Sequence, residues 1–322
     1  MRAVVVENPG GPEALVLKEL DSPTPGEGEV RVDVRTAGVN FIDIYQRSGA
    51  YPLQTPFVAG SEGAGVVSAV GAGVDDLKVG DRVAWSSLNG AGYAEQVLVP
   101  ADRAVPIPDG VDEDTAVAVM TQGMTAHFLC NATFDVQPHH DVLIHAAAGG
   151  VGLMLTQLVS AKGARVIGVV STEEKAKLAT DAGAADVILT DQDWGSAVRR
   201  LTDGRGVDVV YDGVGKATFD TSLDCLRPRG MMVLFGAASG KVPPFDPQIL
   251  NPKGSLFLTR PTISHYIADR DELLMRAGDV LGAVAEGKLS VRIGGRYSLD
   301  EAAQAHEDLA SRRTTGKLLI VP

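Results

Sequence analysis

The stretch Asp141 to Gly163, DVLIHAAAGGVGLMLTQLVSAKG, constrains this chain more than any other. An apolar run gives way to Ala146, Ala147 and Ala148, then to Gly149, Gly150 and Gly152, and an apolar pattern then resumes with Leu155, Leu158 and Val159 on one helical face. That order reads as a strand, a turn and a helix. The span Val142 to Ala161 carries no Asp, Glu, Lys or Arg and is about as long as a membrane helix. Its central glycines, with His145 and Gln157, argue against a membrane span. In a strand–turn–helix the first glycine permits a tight turn, the next lets a pyrophosphate approach backbone N–H groups, and the last lets helix and strand pack closely. The stretch predicts a dinucleotide ligand.

The neighbouring sequence supports that reading. VLIHA, RVIGVV, ADVIL, VDVVY, MMVLF and SLFLT are candidate strands, and four of the intervals between them read as helices, with Ser171 and Glu174 placed as a capping box. The interval Ala237 to Gly254 is rich in Gly and Pro and reads as loop. Six strands alternating with crossovers predict an α/β, Rossmann-type doubly wound parallel sheet. Before Asp141 the texture changes to short strands broken by Gly and Pro: RAVVVE, LVLKEL, EVRVDVRTAGV, GAGVVSAVGAGV, DRVAW and YAEQVLVPA. These predict a mostly antiparallel β domain. After Thr262 a long amphipathic helix is expected up to Gly287, then RIGGRYSL, a helix from Asp300 to Ser311 and a last strand KLLIVP returning to the first domain. A chain of 322 residues exceeds what one core usually serves.

The cofactor type is read from the end of RVIGVV. A cofactor with a free ribose 2′-hydroxyl usually meets an acidic residue there. Here Ser171 and Thr172 follow, then Glu173, Glu174 and Lys175. An uncharged strand end with a cation one helical turn on suits the 2′-phosphate of NADPH. Other strings carry less. GAASGKV, Gly236 to Val242, is one residue short of a phosphate-binding P-loop, His139 and His140 read as a solvated pair, and no HExxH or GxSxG string occurs. Cys130 and Cys225 are too few for a disulfide framework and read as buried thiols, and the sequon at Asn131 reads as unused. The N-terminus reads as no signal peptide, and with reduced thiols this predicts a cytoplasmic protein. A net charge of −12 and a pI near 4.9 oppose binding to nucleic acid or anionic lipid.

At AGVNFIDIYQRSGAYP (Ala37 to Pro52), HAAAGGVGL (His145 to Leu153), LTRPTI (Leu258 to Ile263) and SRRTTGKLL (Ser311 to Leu319) the chain resembles the NADPH-dependent quinone oxidoreductases, the zeta-crystallin-like branch of the medium-chain dehydrogenase/reductases. The likeness extends over essentially the whole chain. It implies a chaperonin-10-like β domain from residues 1–122 and 265–322, a Rossmann domain from 123–264, a cleft between them, and a homodimer formed through the edge strand SLFLTR. It also implies site positions. Asn40, Phe41, Asp43 and Tyr45 would lie on the nicotinamide side with Tyr51 nearby, and Thr125 would meet the cofactor. Gly149, Gly150, Val151 and Gly152 would take its pyrophosphate, and Ser171, Thr172 and Lys175 its adenosine phosphate. Gly213, Val214, Phe235, Gly236, Ala237, Ala238 and Arg312 would complete the surface. Zinc-dependent members of the superfamily carry a cysteine ligand and a Gly-His-Glu string where this chain has Asn40 and Gly60-Ser61-Glu62, which predicts no metal. Thr190 replaces a tyrosine of some relatives, so the NADPH preference is expected to be weaker, and Gln122 replaces a lysine of some, which slightly reduces the positive potential expected near the cofactor.

The resemblance implies hydride transfer from NADPH to a quinone or other electron-poor α,β-unsaturated carbonyl, with Asn40, Tyr45 and Tyr51 as hydrogen-bond donors to the acceptor oxygen. Two alternatives stand beside it: an enoyl-thioester reductase of the same superfamily, and a nucleic-acid-binding or structural protein of the zeta-crystallin type, the latter opposed by the acidic charge.

Overall fold

The computed structural model describes residues 1–322 and divides them into two units, Met1–Met124 with Tyr266–Pro322, and Thr125–His265. In the first unit the strands are β1 (Arg2–Val6), β2 (Val16–Glu19), β3 (Glu29–Val39), β4 (Phe57–Val58), β5 (Gly63–Val70), β6 (Arg82–Trp85), β7 (Gln96–Pro100) and β8 (Val105–Pro106). Two helices interrupt or follow them, α1 (Phe41–Arg47) and α2 (Glu113–Phe128), the second running past the division between the units. β3 is the spine. Its Val30 and Val32 are fully buried while Arg31 and Asp33 alternate outward, and from Thr36 to Val39 every residue is buried. Each fully buried valine contributes roughly 1.5–3 kcal/mol. β5, β7 and the terminal strand all pair antiparallel with β3, so the spine has partners along its whole length.

The second unit is contiguous: β9 (Asp141–His145), α3 (Gly150–Ala161), β10 (Arg165–Val170), α4 (Glu173–Asp181), β11 (Asp186–Leu189), α5 (Trp194–Leu201), β12 (Val207–Asp212), α6 (Phe219–Cys225), β13 (Leu226–Leu234) and β14 (Phe257–Thr259). All six strands are parallel, in the order β11-β10-β9-β12-β13-β14. Every residue of β12 is buried, as a strand covered on both faces requires. The direction of winding reverses between β9 and β12, where the loops after both strands open at the same edge of the sheet. Cys130 and Cys225 are buried free thiols, both pushed up to about 12 by burial.

The remaining elements are α7 (Ile263–Tyr266), α8 (Arg270–Ala285), β15 (Ile293–Ser298), α9 (Ala302–Ala310) and β16 (Lys317–Val321). The single helix expected up to Gly287 is two. Asp269 breaks it, because its carboxylate accepts from the backbone N–H groups of Asp271 and Glu272 and so begins a new helix. β16 lies between β15, parallel, and β3, antiparallel, so the first unit's sheet is mixed. No helix is long and apolar enough to cross a membrane.

Candidate active site

In the second unit the glycine loop is built by contacts rather than by permissive backbone alone. Ala146 takes a left-handed φ of 51°, and Gly149 closes the turn by donating its N–H to the Ala146 carbonyl at 2.8 Å. A side chain on Gly152 would begin 2.2 Å from that carbonyl oxygen and 2.8 Å from the Cα of Ala147, so Gly152 seats α3 against its own turn. Gly149, Gly150 and Val151 begin the helix with no side-chain cap, which leaves N–H groups of the first turn for an anionic ligand.

Three further loops lie at the same sheet edge. After β10, Ser171 and Thr172 are exposed, Thr172 caps α4 by accepting from the N–H of Lys175, and the Lys175 ammonium reaches back to the Ser171 hydroxyl at 3.1 Å. The cation therefore sits over the end of a strand that carries no carboxylate. After β12, the buried Asp212 accepts from Val214 and Gly215 N–H at 2.7 and 3.0 Å and from the Thr218 hydroxyl at 2.7 Å. The loop after β13 zips onto it. Phe235 and Gly236 donate to the Asp212 carbonyl, Ala238 to Gly213 and Ser239 to Val214, while a side chain on Gly236 would strike the Gly213 carbonyl at 2.4 Å. The structure thus brings together Gly149 to Gly152, Ser171, Thr172 and Lys175, and Gly213, Val214 and Phe235 to Ala238 at one edge of one sheet. Thr125 lies in α2 and is 9% exposed. Gln122, on the same helix, has a buried side-chain oxygen without a hydrogen-bond partner.

In the first unit the expected residues gather on and beside α1. Tyr45 stacks between Phe41 and Tyr51, with ring centroids 6.2 and 5.3 Å away, and the Tyr51 N–H donates to the Tyr45 carbonyl. Tyr51 is 39% exposed. The Asp43 carboxylate is buried and accepts from Asn40 N–H at 2.8 Å, Ser61 hydroxyl at 2.9 Å and Tyr93 hydroxyl at 3.1 Å. Burial outweighs these bonds and pushes its carboxyl up to about 6. Behind it, Tyr93 meets His306 Nε2 at 3.0 Å, and His306 Nδ1 meets the Arg47 guanidinium at 3.3 Å. A guanidinium only donates, so Nδ1 accepts and Nε2–H faces Tyr93. Burial, with Arg47 beside it, holds His306 neutral and down to about 3. Arg312 stands in the exposed turn before β16 at a φ of 57°.

Asn40 follows β3 as the N-cap residue of α1 and joins a second buried cluster that the sequence reading did not foresee. Its Nδ2 donates to Glu62 at 2.8 Å, its Oδ1 accepts from the Lys317 ammonium at 2.9 Å, and Lys317 is also paired with Glu62. The other Glu62 oxygen accepts from the Thr121 N–H at 2.6 Å. A lysine opening the otherwise apolar strand KLLIV was the available signal. These donors do not fit a zinc ion. Thiolate and imidazole are missing at Asn40 and Ser61, and the carboxylate of the Gly60-Ser61-Glu62 string is already paired with an ammonium.

Comparison with known proteins agrees with both units. A family model described as the alcohol dehydrogenase GroES-like domain matches residues 26–109, and one described as zinc-binding dehydrogenase matches residues 150–272. A quinone oxidoreductase of Pseudomonas aeruginosa is 45% identical over 315 residues, 97% of each chain. A 2-haloacrylate reductase of a Burkholderia species is 42% identical over 328 residues, covering 99% of this chain and 98% of its own. The crystal structure of Escherichia coli quinone oxidoreductase complexed with NADPH superposes over the whole of both chains with a TM-score of 0.97 at 40% identity. With a six-stranded dinucleotide sheet, a GroES-like unit and full-length likeness at this level, the chain belongs to the quinone oxidoreductase family of the medium-chain dehydrogenase/reductases.

Proposed function

We propose that this protein is a zinc-independent NADPH oxidoreductase that reduces a quinone or another electron-poor α,β-unsaturated carbonyl. The observation that carries the cofactor reading is the carboxylate-free end of β10 with the Lys175 ammonium drawn back over it. The relatives carry the acceptor class: one is named for quinones and another for a haloacrylate, and both acceptors are electron-poor at the carbon that receives hydride. NADPH, when bound, supplies the hydride.

The chain's own residues do the rest. Helix α3 offers its first-turn N–H groups to the pyrophosphate, and the loops after β10, β12 and β13 shape the surface on which the dinucleotide lies. Asn40, Tyr45 and Tyr51 supply donors to the acceptor oxygen as it gains charge. Quinone reduction develops an oxyanion that hydrogen bonds can stabilise, so Asn40 and Ser61 can replace metal ligands without loss of the chemistry. A proton from solvent completes the reduction.

The decisive experiment is an acceptor screen with NADPH and NADH, including benzoquinones, a short enone, a haloacrylate and crotonyl-CoA. Turnover of quinones or enones with NADPH favoured is the expected result. Preference for the CoA ester would replace this reading with an enoyl-thioester reductase, and a preference for NADH would overturn the assignment of the β10 end.

A further inference from the structure

Lys317 and Glu62 are both 0% exposed, and taking two charges out of water is costly enough that apolar residues of similar volume often serve packing as well or better. The pair is nevertheless given a dedicated seat. It lies on the bare backbone of Gly38 in β3, where an added side chain would begin 2.0 Å from Glu62 Oε2 and 2.6 Å from both Lys317 Cε and Nζ. Three elements meet here: Glu62 from the segment entering β5, Lys317 from β16, and between them β3, which pairs with both strands and ends at Val39, one residue before Asn40.

The chemistry of the two partners leaves Asn40 one orientation. An ammonium can only donate, so the amide oxygen must face Lys317; a carboxylate can only accept, so Nδ2 must face Glu62. The backbone N–H of Asn40 is fixed separately by Asp43. One hydrogen of the amide NH2 meets Glu62, and the second is held in a set direction. The adjacent ammonium also draws electron density from the amide oxygen, which makes that remaining N–H a stronger donor.

We propose that Lys317, with Glu62, is a positioning residue for hydride transfer: the buried ion pair orients and polarises the Asn40 side chain so that its remaining N–H is aimed at the acceptor oxygen. The inference rests on the reading of Asn40 as a donor to that oxygen. Lys317 acts only through Asn40 and touches neither substrate nor cofactor.

The test is a cycle of variants measured with NADPH and a benzoquinone. Glu62→Gln/Lys317→Gln removes both charges together, so neither is left buried alone, and it should fold. Its kcat should fall about tenfold or more, because a donor out of place loses most of its effect. Its NADPH dissociation constant, read by cofactor fluorescence, should stay within about twofold of wild type. In an Asn40→Ala background the same double change should lower kcat no further, and Lys317→Arg should restore part of the loss. Full kcat in the charge-free variant, or an equal second loss in the Asn40→Ala background, overturns the proposal. A readout independent of turnover uses the wild-type protein alone: ¹⁵N spectra should show slowly exchanging Asn40 side-chain amide and Lys317 ammonium protons, and exchange at solvent rates overturns it even if no variant folds. Wild-type protein that reduces nothing in the acceptor screen defeats the donor role of Asn40 itself, whereas active wild type with an unaffected variant defeats only the role of Lys317.

Discussion

Asp43 ties the stability of the fold to pH through its burial. Its carboxyl stands at about 6 against an ordinary 3.8, so the folded protein takes up this proton before the unfolded chain does. The stabilisation this group provides is full below about pH 4 and is lost as pH rises through 6, a change of about 3 kcal/mol at 1.36 kcal/mol per unit. Between pH 4 and pH 7 the wild type should therefore lose about that much stability relative to Asp43→Asn in urea unfolding; parallel pH dependences would show that the carboxylate titrates normally. Lys175 belongs to the same scale. A hydrogen bond to a charged group contributes about 1.5–3 kcal/mol, and with Glu173 and Glu174 exposed beside it the lower figure applies. Lys175→Ala should weaken NADPH about tenfold and leave NADH nearly unchanged, the difference shrinking with salt; equal losses for both cofactors would mean the lysine is structural. Lys175 was legible because a missing carboxylate at a strand end is a local fact. Lys317 and Glu62 were not, since 254 residues lie between them and only folding brings them together.

Among the elements, the parallel sheet was readable because each strand is a short β-branched run bounded by turn residues, and all six expected strands are present. The helices α1 and α2 were not. α1 has seven residues, among them Phe41, Ile42, Ile44 and Tyr45, which favour strands by composition, and α2 is buried on nearly every face between Ala116 and Met120, leaving no polar stripe to mark its period. The glycine loop was read correctly as a turn between strand and helix, and the contacts separate its members. Gly152→Ala should destabilise the second unit by about 1–3 kcal/mol, as overpacking does, because the new methyl meets the Ala146 carbonyl. Gly150→Val, on the first turn of α3, should leave the fold intact and abolish NADPH binding by obstructing the pyrophosphate. Urea unfolding beside a fluorescence titration distinguishes the two; a Gly150 variant that binds NADPH normally would remove the glycine loop from the cofactor site.

On the scale of the molecule, assembly and metal content are open to direct measurement. β14 is an edge strand with Phe257 57% exposed, and such an edge invites pairing with a second copy, so subunits of 33.6 kDa are expected to sediment as a dimer at micromolar concentration. Phe257→Lys should shift that equilibrium toward monomer, and a wild-type monomer would refute the expectation. Elemental analysis should find no stoichiometric zinc and a chelator should leave turnover unchanged, because Glu62 already has its cation. The position of that cation in the chain has a consequence during synthesis. The second unit, Thr125–His265, is one continuous stretch and can fold as soon as it has left the ribosome, but the sheet of the first unit cannot close until β16 arrives, 278 residues after its partner β3 ends. Until then Glu62 has no ammonium opposite it and the Ala37 to Val39 end of β3 lies open on one side. A nascent chain stalled before Lys317 should therefore expose the N-terminal strands to protease and chaperones while its nucleotide-binding half is already protected.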